Sequence, residues 1–153
     1  MSGNAVSEKM NKRYRSYEKS LVPQLDRNNV NLNIGVTNAC NLDCIFCFSS
    51  MMPQKRKKVD SQLIRRLLRE GAELGITEFN PYGNYGDPFL CSEIFEYVRY
   101  AKQLGYTYVF TNTNGLLLDE NRARMAVESG FDSIKISINA GTPDTLYAYF
   151  CNV

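Results

Sequence analysis

The alternation of apolar and polar residues marks the first predicted strand. Val30, Leu32, Ile34 and Val36 alternate with asparagine or glycine, and a period of two is typical of a β-strand with one buried face. Residues 1–28 are polar and mixed in charge, which predicts an N-terminal arm. The folded part of the chain is therefore expected to cover residues 29–153.

Three helical segments follow, each bounded by a capping residue and a glycine. The predicted N-caps are Asp60, Ser92 and Asp119, and the predicted ends are Gly75, Gly105 and Gly130. The strands predicted to follow these helices are Ile76–Tyr82, Tyr106–Thr111 and Phe131–Asn139. Thr142-Pro143 is typical of the start of one more helix.

Strands that alternate with helices predict an α/β fold with a parallel sheet. In such sheets, ligands bind where the carboxyl ends of the strands lead into the helices. These loops begin near Thr37, Gly83, Asn112 and Asn139, and they contain the most unusual stretches of the sequence. The sequence therefore predicts a functional site at this edge of the sheet.

Composition and charge narrow the possible partners. The chain has 153 residues with 44% hydrophobic and 22% charged residues, as in ordinary globular proteins, and a formal net charge of +2. This small charge does not favour nucleic acid or an anionic membrane as a partner. The sequence shows no apolar run long enough to span a membrane and no secretory signal, so a cytoplasmic location is expected.

The absence of histidine removes several kinds of catalytic site. Ser-His and Cys-His pairs, histidine-ligated zinc or haem, and the commonest general base near neutral pH are all excluded. Five cysteines remain. In a reducing compartment they are better interpreted as ligands or buried apolar residues than as disulfides.

Three of these cysteines lie within eight residues. Cys40, Cys44 and Cys47 are separated by three and two residues, so their sulfurs could surround one face of a compact metal centre. An iron–sulfur cube with three protein thiolates leaves one iron open for chemistry. Two alternatives stay open: a four-cysteine zinc site completed by Cys91 or Cys151, and buried cysteines without a ligand.

The C-x3-C-x2-C loop, with an aromatic residue before its last cysteine and a strand before it, resembles the signature of the radical S-adenosylmethionine (radical SAM) enzymes. Tyr85-Gly86-Asp87-Pro88 resembles a variant of the Gly-Gly-Glu-Pro motif of that family, with Tyr and Asp in place of Gly and Glu. Thr113-Asn114-Gly115, and Ser137 with Asn139, also resemble family positions near the cofactor. The similarity covers about residues 30–150.

The resemblance implies the cofactors and the residues that bind them. Cys40, Cys44 and Cys47 would ligate a [4Fe-4S] cluster, with S-adenosylmethionine on the fourth iron. The residues implied in binding S-adenosylmethionine are Phe46, Gly86, Asp87, Thr113, Ser137 and Asn139. The implied reaction is one-electron cleavage to methionine and a 5′-deoxyadenosyl radical, which abstracts hydrogen from a substrate. The resemblance identifies no catalytic residue.

The resemblance also implies a partial TIM-like barrel, of which four strands are predicted here. The family generally has six strand–helix units, so the chain is expected to be an amino-terminal part of the core, truncated after the fourth strand. The implied partners are an electron donor such as flavodoxin or ferredoxin and an unidentified small-molecule or peptide substrate. A non-catalytic zinc or iron–sulfur module, or an inactive fragment, is the alternative.

Other unusual residues have structural explanations. The basic run Lys55-Arg56-Lys57-Lys58 is expected to be solvated. Cys91 is expected to be a small buried residue at a helix start. Packing is the expected role of Tyr97, Tyr100, Tyr106 and Tyr108.

Overall fold

A computed structural model describes residues 30–48, 57–142 and 144–145 of the protein. The predicted N-terminal arm, the start of the basic run at Lys55 and Arg56, and Cys151 lie outside these residues. Pro143 and most of the helix predicted to follow it also lie outside them. All the elements given below belong to one unit, residues 31–153.

Strands and α-helices alternate along the described residues. The strands are β1 (Asn31–Thr37), β2 (Glu78–Gly83), β3 (Tyr108–Thr113) and β4 (Ser133–Ile136). The helices are α1 (Ser61–Glu73), α2 (Ile94–Gln103) and α3 (Glu120–Ser129), and a short 3-10 helix, Pro88–Leu90, follows β2. The strands pair in parallel in the order β1-β2-β3-β4. The predicted α/β fold is confirmed, and the sheet formed by the described residues is open.

The register brings the strand ends to one edge of the sheet. Thr37 lies opposite Gly83, and Thr113 lies opposite Ile136. The loops that follow the four strands therefore begin side by side, as expected for a parallel sheet.

The helix boundaries follow the capping residues in two cases out of three. The carboxylate of Asp60 accepts a hydrogen bond from the Gln62 N–H, and that of Asp119 accepts one from the Arg122 N–H. The predicted cap Ser92 is wrong, since α2 begins at Ile94 and Glu93 occupies the cap position. The Ser92 hydroxyl donates to Glu93 Oε2 at 2.6 Å, which leaves it engaged with a side chain rather than with the helix.

The fourth strand is shorter than the predicted Phe131–Asn139. At its start, the Val109 N–H donates to the carboxylate of Asp132, so a side chain takes the place of a backbone ladder bond. At its end, the Ser137 N–H donates to Thr113 O at 2.8 Å, where β3 itself ends. Ile134 is half-buried, but Ile136 and Ile138 are exposed.

The core lies between the sheet and the helices. It contains Val36, Phe79 and Val109 from the strands, with Ile64 and Leu68 from α1. The core also contains Tyr97, Val98 and Ala101 from α2 and Tyr106 from the segment after α2. The Tyr106 hydroxyl donates to Leu68 O at 2.9 Å, and burial raises the pKa of Tyr106 to about 12.

Packing contacts account for the four tyrosines, as predicted. Tyr97 and Tyr106 are buried in the core, and the guanidinium of Arg65 lies 5.0 Å from the centre of the Tyr100 ring. Tyr108 is exposed and stacks on Phe110 at 5.4 Å between ring centres.

Candidate functional site

The cysteine loop leaves the carboxyl end of β1. Cys40, Cys44 and Cys47 are half-buried and are not joined to one another by a disulfide. The Cys47 N–H donates to Cys44 O at 2.9 Å, which closes the turn between these two residues. Burial raises the pKa of the Cys44 thiol, and the nearby charges of Cys40 and Cys47 raise it further. Cys40 and Cys47 are therefore close enough to Cys44 to influence its pKa.

The donor set suits an iron–sulfur cluster. Neighbouring thiolates repel one another, which is one reason why the pKa of Cys44 is raised, and a cationic centre bound to all three would offset that repulsion. In the part of the chain that the structure describes, no three Cys, Asp or Glu side chains converge closely enough to hold a metal ion. The loop thus keeps the sulfurs near one another without a closed ligand geometry.

The start of the cysteine loop is fastened to the segment that precedes α1. The Thr37 hydroxyl donates to Lys57 O at 3.2 Å and accepts from the Ala39 N–H at 3.1 Å. The Asn38 N–H donates to the same Lys57 oxygen at 3.1 Å, and the Asn84 N–H donates to Thr37 O at 2.8 Å. The loop therefore starts from a backbone held on two sides.

The loop after β2 packs directly on the cysteine loop. A Cβ atom on Gly86 would lie 2.3 Å from Ala39 O in the cysteine loop, and within the loop after β2 a Cβ atom on Gly83 would lie 2.0 Å from Gly86 O. Only glycine allows so close an approach of two backbones. The Asp87 N–H donates to Ala39 O at 2.8 Å and secures the contact.

Tyr85 adopts a left-handed backbone conformation, with a φ of 60°. Such a conformation is strained for a residue with a bulky side chain. Tyr85 occupies the position of the first glycine in the Gly-Gly-Glu-Pro motif. Glycine adopts this left-handed conformation without strain, which explains why the motif has glycine there.

The Asp87 carboxylate connects the ends of β2 and β3. It is 2% exposed. Oδ1 accepts from the Phe89 N–H at 3.0 Å, and Oδ2 accepts from the Thr113 hydroxyl at 2.7 Å and from the Asn114 N–H at 2.8 Å. Both oxygens are thus engaged within the protein, and a direct contact of Asp87 with S-adenosylmethionine stays a prediction.

The other predicted cofactor contacts lie at the same edge of the sheet. Thr113 is 3% exposed, and its hydroxyl accepts from the Gly115 N–H at 3.1 Å while it donates to Asp87. Phe46, Ser137 and Asn139 are exposed. Thr113 ends β3, Ser137 follows the end of β4, and Phe46 lies within the cysteine loop. The roles of these residues stay predictions.

Sequence reasoning placed Asn114 in a stretch near the cofactor but assigned it no role, and it did not single out Asn41. The Asn114 side-chain N–H donates to Asn41 Oδ1 at 2.8 Å, and its nitrogen lies 3.9 Å from Cys40 Sγ. The available signals were the position of Asn114 in the Thr-Asn-Gly stretch and of Asn41 inside the cysteine loop.

Cys91 is 1% exposed, as predicted for a small buried residue, and burial raises the pKa of its thiol. In the described half of the basic run, Lys57 is exposed and Lys58 forms an ion pair with Glu93. Hydrogen bonds from Lys58 and Ser92 lower the pKa of Glu93 to about 2.

No helix among the described residues has the length and apolar character needed to cross a membrane.

In a comparison with known protein families, residues 34–151 match the model of the Radical SAM superfamily. A probable GTP 3′,8-cyclase of Methanothermobacter thermautotrophicus is 28% identical over 116 residues, which are 76% of this chain and 37% of that protein. The GTP 3′,8-cyclase of Chlorobaculum tepidum is 34% identical over 109 residues, which are 71% and 32% of the two chains. The chain thus matches about a third of the length of these relatives.

Solved structures share the fold. The crystal structure of BtrN in complex with AdoMet and 2-DOIA matches with a TM-score of 0.66 at 23% identity, over 73% of this chain and 46% of that one. Native anSMEcpe with bound AdoMet matches with a TM-score of 0.62 at 21% identity, over 78% and 35%.

Proposed function

This chain belongs to the radical SAM superfamily of enzymes, and we propose that it binds a [4Fe-4S] cluster through Cys40, Cys44 and Cys47 together with S-adenosylmethionine. When bound, these cofactors supply one-electron cleavage of the sulfonium to methionine and a 5′-deoxyadenosyl radical that abstracts hydrogen from the substrate. The observation that carries the proposal is the position of three half-buried cysteines within eight residues on the loop after β1, in a chain that matches the superfamily model.

The remaining site residues hold the cofactors in place. Gly86 presents its backbone beside the cysteine loop, and the buried Asp87 keeps that backbone fixed. We assign binding of the methionyl and adenosyl groups to the residues of the strand ends. They are Phe46, Gly86, Asp87, Thr113, Ser137 and Asn139.

Within this group, Asp87 acts mainly through the loops it joins. Its three internal donors and its burial mean that a new partner would have to compete with Phe89, Thr113 and Asn114. The exposed Ser137 and Asn139 have no such burial to overcome and are better placed to meet a polar ligand from solvent.

The substrate is a property of the whole protein rather than of this chain alone. GTP is the first candidate to test, because the curated relatives are named GTP 3′,8-cyclases. An electron donor such as flavodoxin or ferredoxin is the proposed partner, since the cleavage consumes one electron.

Anaerobic reconstitution with iron and sulfide, followed by dithionite and S-adenosylmethionine, tests the proposal. We expect 5′-deoxyadenosine to form with the wild-type chain and to fall to background with Cys44→Ala. The matched control is Cys91→Ala, which removes a buried thiol away from the loop and is expected to keep the activity. Binding of one zinc ion without cleavage would contradict the proposal and support a non-catalytic metal-binding module.

A further inference from the structure

The side-chain amide of Asn114 faces the cysteine loop in a fixed orientation. Its Oδ1 accepts from the Leu116 N–H at 3.0 Å. Because a backbone donor takes the oxygen, the two N–H groups must point the other way, toward Asn41 Oδ1 at 2.8 Å and Cys40 Sγ at 3.9 Å. All the hydrogen-bonding atoms of the amide are therefore engaged, and one N–H is directed at a predicted cluster ligand.

The backbone of Asn114 is held from behind by a buried carboxylate. The Asn114 N–H and the Thr113 hydroxyl both donate to Asp87 Oδ2, at 2.8 and 2.7 Å. Asp87 itself is fastened to the cysteine loop through its N–H bond to Ala39 O. The amide that approaches Cys40 is thus pre-organised by contacts on both sides of it.

We infer that Asn114 is a positioning residue for Cys40, and that its N–H raises the reduction potential of the cluster by donating to the Cys40 sulfur. The inference rests on the proposed function, because a cluster must be bound for its potential to exist. A donor directed at a ligand sulfur stabilises the extra negative charge of the reduced cluster, and hydrogen bonds to cluster sulfurs are a known control of potential.

The test compares the cluster midpoint potential of four chains of the full 153 residues, reconstituted anaerobically without S-adenosylmethionine and measured by spectroelectrochemistry. Asn114→Asp keeps the size and the oxygen acceptor of the side chain but removes both N–H donors. Asn112→Asp introduces the same charge two positions earlier on β3, at an exposed side chain. Asn41→Ala removes the exposed oxygen that accepts one N–H of the Asn114 amide and helps to hold that amide beside Cys40. The fourth chain is the wild type.

We expect Asn114→Asp to lower the potential so that the ratio of reduced to oxidised cluster at a fixed electrode potential falls about tenfold, which is about 59 mV for one electron. Asn112→Asp should stay near the wild type, and Asn41→Ala should lower the potential by a smaller amount. A purely structural role of Asn114 would change stability and leave the potential where it is.

Equal shifts for Asn114→Asp and Asn112→Asp, or an unchanged potential in Asn114→Asp, would overturn the inference. If Asn114→Asp does not take up a cluster, the Asn41→Ala variant serves as the test instead. An unchanged cluster potential in Asn41→Ala would then overturn the inference. Failure of the wild-type chain to assemble a [4Fe-4S] cluster would instead overturn the proposed function, and this inference with it.

Discussion

At Gly86 a hydrogen atom in place of a side chain lets the loop after β2 touch the cysteine loop. A Cβ atom at this residue would meet backbone atoms, with Ala39 O at 2.3 Å and Asn38 C at 2.8 Å. Backbone cannot move aside as a flexible side chain can. The contact therefore fixes both the identity of residue 86 and the path of the loop that carries the thiols.

We expect Gly86→Ala to destabilise the protein by about 1–3 kcal/mol, the usual range for adding a methyl group to a filled space. Urea unfolding followed by circular dichroism measures the change. Gly141→Ala is the control, because a Cβ atom there would meet nothing within 4 Å. Equal stabilities of the two variants would contradict the close approach of the loops.

At the scale of elements, the Lys58–Glu93 ion pair joins the segment after the cysteine loop to the start of α2. Glu93 also accepts from the Ser92 hydroxyl, and these two hydrogen bonds lower its pKa from 4.5 to about 2. Its carboxylate lies at the N-terminus of a helix, where negative charge is favoured. A folded-state pKa below the unfolded-state value means that the charged group stabilises the fold above about pH 4.5.

That contribution is lost as the pH falls from about 4.5 toward 2, because the unfolded chain then takes up a proton that the folded chain resists. We expect the urea midpoint of the wild type to fall over this range more steeply than that of Glu93→Gln. Glu128→Gln, which removes an exposed carboxylate from α3, is the control for the loss of one negative charge. Parallel curves for wild type and Glu93→Gln would show that the ion pair does not contribute.

Sequence patterns within a few residues predicted most helices and strands, and they failed where a neighbouring side chain competes for the same hydrogen bond. Asp60 and Asp119 cap helices as predicted because both partners lie within three residues. Ser92 was wrongly predicted as a cap because the adjacent Glu93 takes its hydroxyl. The position of the site at the strand ends was predicted from the order of elements. The hydrogen bonds of the Asp87 carboxylate were not predicted, because its donors Thr113 and Asn114 come from the end of a later strand.

At the scale of the whole molecule, the open sheet leaves β4 paired on one side within the described residues. Ile138 just beyond it is 78% exposed, and Ile136 is also exposed. A groove of about 260 Å³ lies beside the strand and is lined by Leu118, Val127, Phe131 and Ile134 among others. An unpaired strand edge with exposed apolar side chains favours association with other chains.

We expect the 153-residue chain to associate at high concentration, and Ile138→Lys to weaken this association because it places a charge beside the open edge. Light scattering after size exclusion, over a series of concentrations, measures it. Leu74→Lys is the matched control, since Leu74 is 71% exposed at the end of α1. Identical behaviour of both variants and the wild type would exclude the edge as the contact.

From the contacts of the Asp87 carboxylate we also expect a particular order of events during folding. Its donors Thr113 and Asn114 lie 26 and 27 residues later in the chain, and its own N–H reaches back to the cysteine loop. Contacts between distant segments form slowly, because loop closure must precede them. The cysteine loop should therefore reach its final path only after β3 has joined the sheet, so that metal delivered to a nascent chain would meet the thiols before their surroundings are complete.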